Sequence, residues 1–67
     1  MNNTRKNFII DYIQTEINDR GLDENNQIQI DFSGLCEIEE AEEVAKELGF
    51  STEPGQGRGV LWLYKED

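Results

Sequence analysis

A chain of 67 residues with a single cysteine has to be held together by one small apolar core. That cysteine count excludes an intramolecular disulfide, and the complete lack of histidine removes the commonest metal ligand and the commonest general base. A chain of this length buries only about 60% of its unfolded surface, so we expect one domain over residues 1–67 with marginal stability. We expect no metal, no cofactor and no separate catalytic domain.

The apolar residues fall into runs whose period changes along the chain. A helical stripe of isoleucines over residues 4–20 is followed by an alternating pattern over 27–32. A second helix is predicted over 36–48, and two strands over 50–53 and 60–65 flank a glycine-rich turn. This α-β-α-β-β order predicts an α+β fold, a two-layer sandwich in which both helices pack on one face of a three-stranded sheet.

The last predicted strand is apolar on both faces, and this leaves two orientations open. In one of them Leu61 and Leu63 face the helices. Trp62 and Tyr64 then stand on the open side of the sheet, where such aromatic residues anchor interfaces or stack bases. In the other orientation Trp62 is the main aromatic residue of the core, as a lone tryptophan in a small domain more often is. Arg58, in the preceding turn, either pins an anion or faces solvent.

Acidic residues outnumber basic ones by 15 to 6, which gives a net charge of −9. Much of this charge lies on the second predicted helix, opposite its apolar stripe, at Glu39, Glu40, Glu42, Glu43 and Glu47. Like-charge pairs four residues apart cost about 0.2–0.5 kcal/mol each, so changing Glu39, Glu40, Glu43 and Glu47 to glutamine is expected to leave stability unchanged or raise it. We interpret this face as a binding surface for a basic partner, or as a solvated face that keeps molecules apart.

The second half of the chain combines several features in a familiar order. A helix ends in Leu-Gly-Phe at residues 48–50, a turn follows with Gly55 and Gly57 beside Arg58, and an apolar strand closes at Lys65. This order resembles the small single-stranded nucleic-acid-binding domain named for its Arg-xxx-His motif. The resemblance covers the order of elements over nearly the whole chain, and it implies binding of single-stranded nucleic acid.

The motif residues of that family are not matched in this sequence. Counting back from Leu48, the family's arginine and histidine fall at Ile38 and Glu42, one apolar and the other of opposite charge. A net charge of −9 also repels a polyanion, so a nucleic-acid partner is not favoured. The alternative function is therefore nucleic-acid binding by a surface built from Arg58, Trp62, Tyr64 and Lys65.

Catalysis is not expected from these residues. Cys36 has no histidine to activate it, and the glutamates that follow oppose a thiolate, so we expect it to be inert. No apolar run approaches the roughly 18 residues of a membrane span, and a lone cysteine suits a reduced, cytoplasmic protein. We predict a non-enzymatic protein-interaction domain with a basic protein surface as its partner. Its sharper version is an inhibitor that mimics nucleic acid, of the size expected for a phage or mobile-element protein.

Overall fold

The structure is a computed structural model, and it describes residues 3–65. Its elements in chain order are α1 (Asn3–Arg20), β1 (Gln27–Asp31), α2 (Ile38–Glu47), β2 (Ser51–Pro54) and β3 (Val60–Tyr64). Two helices and an antiparallel three-stranded sheet, within this part of the chain, confirm the predicted α+β fold and its α-β-α-β-β order.

The second helix is shorter at both ends than the predicted 36–48. Glu37 precedes it in an extended conformation, and the backbone N–H of Glu37 donates to the side chain of Glu40 at 3.1 Å. Cys36 therefore lies in the turn before the helix. At the other end the N–H of Phe50 donates to the carbonyl of Ala45 at 2.9 Å, so the following strand begins one residue later than predicted.

The sheet has the strand order β1-β3-β2, so β3 is hydrogen-bonded on both sides. Ile30 lies opposite Leu61 and Gln29 lies opposite Trp62. Side chains alternate between the two faces of a strand, and Leu61 and Leu63 are buried. Trp62 therefore stands on the face away from the helices, and the alternative that placed it in the core is wrong.

The core lies between the sheet and the two helices, and α1, β1, α2 and β3 contribute to it positions that their hydrophobic periods predict, whereas β2 has no buried residue. The isoleucine stripe of α1 and the apolar stripe of α2 meet the inward side chains of β1 and β3. Trp62 and Tyr64 are half-buried and lie outside this core. The buried apolar residues are Ile9, Ile13, Ile28, Ile30, Phe32, Ala41, Val44, Ala45, Phe50, Leu61 and Leu63.

The backbone bonds at the ends of β1 show which of its groups point away from the sheet. The N–H of Phe32 donates to Gly59 at 2.7 Å, and the N–H of Lys65 donates to Asn26 at 3.2 Å. In an antiparallel pair such bonded positions alternate with positions whose N–H and C=O face outward. The outward groups of β1 therefore belong to Gln27, Gln29 and Asp31.

Side chains of α1 donate to this outer edge. The Tyr12 hydroxyl donates to the backbone carbonyl of Asp31 at 2.8 Å, and Nη2 of Arg20 donates to the carbonyl of Gln29 at 2.6 Å. The Tyr12 ring also meets Phe32 edge-on, with ring centroids 5.7 Å apart. An open strand edge is a template for unwanted pairing, so α1 both packs on the core and closes this edge.

We expect Tyr12→Phe to lower the free energy of unfolding by about 0.5–1.5 kcal/mol, because the Asp31 carbonyl loses its side-chain donor while the ring contact remains. Urea denaturation followed by circular dichroism measures this loss. Tyr64→Phe is the matched control, since the Tyr64 hydroxyl has no hydrogen-bond partner within residues 3–65. Equal losses in the two variants would show that the Tyr12 bond contributes nothing.

Candidate functional site

The face of the sheet that the helices leave uncovered is called the open face. Its centre is an apolar strip along β3, formed by Val60, Trp62 and Tyr64, all half-buried. Trp62 stands between Gln29 on one neighbouring strand and Glu53 on the other. The strip is bordered by polar and acidic residues of the two edge strands, namely Gln27, Gln29, Asp31, Ser51 and Glu53.

A cleft of about 490 Å³ lies beside the open face, where α1 runs along the edge of β1. Val60 lines it and also belongs to the apolar strip, so the cleft and the open face are continuous. A Cβ at Gly55 would lie 3.0 Å from Nε2 of Gln29 and 2.5 Å from Cγ1 of Val60. Glycine at this position therefore allows the backbone of the turn to approach these two side chains closely. The cleft is lined by Glu16, Arg20, Gln29, Asp31, Gln56 and Val60.

The charges of the cleft leave one carboxylate without a counterion. Nη2 of Arg20 lies 3.6 Å from Glu16, so these two charges offset each other. Asp31 accepts a hydrogen bond from the N–H of Ser33 at 2.8 Å, and hydrogen bonds from the Ser33 side chain and backbone lower the pKa of Asp31. Within residues 3–65 no cation pairs with Asp31. The cleft therefore carries a net charge near −1 at neutral pH.

The five glutamates predicted to form one acidic helix face do not act as one surface. Glu40 pairs with Arg5 at 2.8 Å, and Glu47 pairs with Lys6 at 2.7 Å, so both connect α2 to the start of α1. These two carboxylates serve the packing of the helices. In the described part of the chain no ion pair is formed by the other three, Glu39, Glu42 and Glu43.

The residues of the alternative nucleic-acid surface lie on different sides of the molecule. Arg58 is exposed in the turn between β2 and β3, near the open face. The ammonium group of Lys65 instead lies 5.4 Å from the ring centroid of Phe50, a core residue on the helix side of the sheet. Lys65 therefore does not stand beside Trp62 and Tyr64, and the four residues do not form one continuous surface.

Cys36 is half-buried in the turn before α2. Burial raises the pKa of its thiol, and the nearby carboxylate of Glu40 raises it further, so the reactive thiolate is disfavoured. Among residues 3–65 no group of three or more histidine, cysteine, aspartate or glutamate side chains is arranged to hold a metal ion. Neither of the helices in that range combines the length and the apolar character that crossing a membrane requires.

No family model matches the sequence, and neither the curated proteins nor the solved structures contain a match to it. The resemblance to the Arg-xxx-His domain therefore stays a prediction that rests on the order of the elements.

The sequence did not predict the cleft. Its residues come from the end of α1, from β1, from the turn after β2 and from the start of β3, and they meet only because α1 packs along the edge of β1. The one local signal was Glu16 four residues before Arg20, a spacing that pairs opposite charges on a helix. Nothing in the sequence around Asp31 or Gln56 indicated that they would share a cavity.

Because Glu40 and Glu47 form ion pairs and Glu39 and Glu43 do not, removing one pair of carboxylates is expected to change the free energy of unfolding differently from removing the other. For Glu39→Gln with Glu43→Gln we expect a change within about 0.5 kcal/mol, because lost repulsion and lost attraction to the helix dipole oppose each other. For Glu40→Gln with Glu47→Gln we expect a loss of about 0.4–2 kcal/mol, since two ion pairs between the helices disappear. Urea denaturation of the two double variants tests this difference, and equal stabilities would contradict it.

Proposed function

We propose that this protein is a non-enzymatic interaction domain that binds a basic protein surface through its open face. One observation carries the proposal: the central strand holds Val60, Trp62 and Tyr64 side by side on a face that no helix within residues 3–65 covers. Tryptophan and tyrosine are the residues most enriched at the energetic centres of protein interfaces, where a polar rim surrounds them. The open face has this arrangement of an apolar strip and a polar border.

The charges around the strip favour a basic partner. Asp31 and Glu53 are exposed on the two edge strands that flank it, and the chain as a whole carries −9. A field of this sign accelerates the approach of a basic surface and slows that of nucleic acid. The cations do little to oppose it, because Arg5, Lys6 and Arg20 are each held in an ion pair with a glutamate.

A sharper version of the proposal is nucleic-acid mimicry toward a protein that normally binds nucleic acid. Its support is the net charge together with Glu39 and Glu43, which are exposed on α2 without an ion-pair partner in the described chain. Carboxylates presented in this way compete with phosphates for a basic surface. We assign such an inhibitor to the cytoplasm, because its only cysteine suits a reducing compartment, and to the small acidic proteins of phages or mobile elements.

The open face is tested by capturing partners from an extract of the native host on three immobilised proteins. These are the wild type, Trp62→Thr and Phe8→Ala. Threonine retains the strand propensity of position 62. Phe8 is 53% exposed on α1, so its variant controls for the loss of any exposed aromatic side chain. We expect mass spectrometry to identify a protein bound by the wild type and by Phe8→Ala, but not by Trp62→Thr.

The captured protein is then purified, and its association rate is measured across a salt series. A rate that falls as salt increases supports a basic partner, because screening weakens the attraction. The proposal fails if Trp62→Thr captures the same proteins as the wild type, or if the association rate does not respond to salt.

The alternative function is tested by the fluorescence of Trp62, the only tryptophan in the chain. We expect no quenching when single-stranded oligothymidylate is added at low salt, because the negative field repels the strand. A base stacked on Trp62 would contribute about 1–3 kcal/mol, so two such contacts would give saturable quenching at micromolar concentrations. Saturable quenching that Trp62→Thr abolishes would replace the interaction proposal with nucleic-acid binding.

A further inference from the structure

The open face is too small to form a stable interface alone. Three strands about 4.8 Å apart, two of five residues and one of four, each residue rising about 3.3 Å, cover roughly 220 Å². A standard interface buries about 800 Å² on each partner. A protein bound on the apolar strip must therefore extend beyond the sheet, and on the β1 side the surface leads directly into the cleft.

The lining of the cleft carries donors on Arg20, Gln29 and Gln56 as well as acceptors, but within residues 3–65 its one charge without a counterion is negative. Asp31 supplies a carboxylate with no counterion in the described chain, and Glu16 supplies another that is offset by Arg20. The side-chain oxygens of Gln29 and Gln56 are further acceptors on its lining. An anion would meet the uncompensated charge of Asp31, so the complementary occupant is a cation.

The shape of the lining favours a long cation with a planar head. Val60 gives the cleft an apolar contact next to the strip, suited to the methylene stem of an extended basic side chain. A guanidinium carries five N–H donors in a fixed fork, which can serve a carboxylate and amide oxygens at the same time. The ammonium of lysine is a compact point charge, so it matches a carboxylate and separate amide oxygens less well than a guanidinium does.

We propose that the cleft receives an arginine side chain of the basic partner, with its guanidinium on the carboxylate of Asp31. The inference rests on the proposed function, because the arginine belongs to the protein that lies on the open face. It adds a defined position to that interface: the apolar strip holds the body of the partner, and the cleft beside β1 recognises one charged side chain.

The test uses the intact protein and a small probe, so it does not require the partner. Blocked arginine, as the N-acetyl N-methylamide, is titrated into ¹⁵N-labelled protein, and blocked citrulline serves as the neutral probe of nearly the same shape. We expect saturable shifts of the Gln29 and Gln56 side-chain amides with arginine, and binding of citrulline that is about two- to fivefold weaker because it lacks the charge. Equal shifts with both probes, or no shifts with arginine, would overturn the proposal.

Two matched variants locate the charge that is recognised. Asp31→Asn retains an oxygen that can accept from the Ser33 N–H, so the turn is preserved while the carboxylate is removed. We expect it to weaken arginine binding about two- to fivefold, the contribution of an exposed ion pair. Glu53→Gln removes a carboxylate from the opposite edge strand, outside the cleft, and is expected to leave binding unchanged. Equal weakening by both variants would indicate only a general effect of charge.

The two proposals fail separately. If a partner depends on Trp62 but blocked arginine does not bind, the open face is the interface and the cleft has no part in it. If blocked arginine binds through Asp31 but no protein depends on Trp62, the cleft recognises a cation and the proposed function is wrong.

Discussion

The hydrogen bonds from α1 to the outer carbonyls of β1 determine much of this structure. A three-stranded sheet has two open edges, and Tyr12 and Arg20 close one of them by donating to Asp31 and Gln29. These bonds fix α1 alongside the sheet as well as on top of it. The same placement makes α1 one wall of the cleft, so the protection of an edge and the formation of a cavity have a common cause.

The other edge is protected by different means. The N–H of Gly55 donates to Val60 at 2.9 Å, so the outward positions of β2 are Thr52 and Pro54. Proline has no N–H, and a strand of four residues offers little length for pairing. Both edges are therefore poor templates for strand addition.

Alternation and helical period were enough to predict the fold and its core. The patterns allowed only one buried side for β1 and for α2. The structure buries Ile28 and Ile30 of β1, and Ala41, Val44 and Ala45 of α2, on that side. The side taken by Trp62 could not be predicted, because β3 is apolar on both faces and its orientation depends on pairing with β1, about 33 residues earlier. The ion pairs of Glu40 and Glu47 were missed for a related reason: their partners, Arg5 and Lys6, come close only through packing between the helices.

The central strand of the sheet is also its last strand in the sequence. Until residues 60–64 have been synthesised, β1 and β2 lack the strand that joins them, and the inner faces of both helices have no sheet to cover. At about 5–20 residues per second, roughly 1.5–6 s of synthesis separate the end of β1 from the start of β3. During that interval the excess of carboxylates keeps growing chains apart, because like-charged segments repel one another before any core exists. The net charge of −9 thus acts on the unfolded chain as well as on the folded surface.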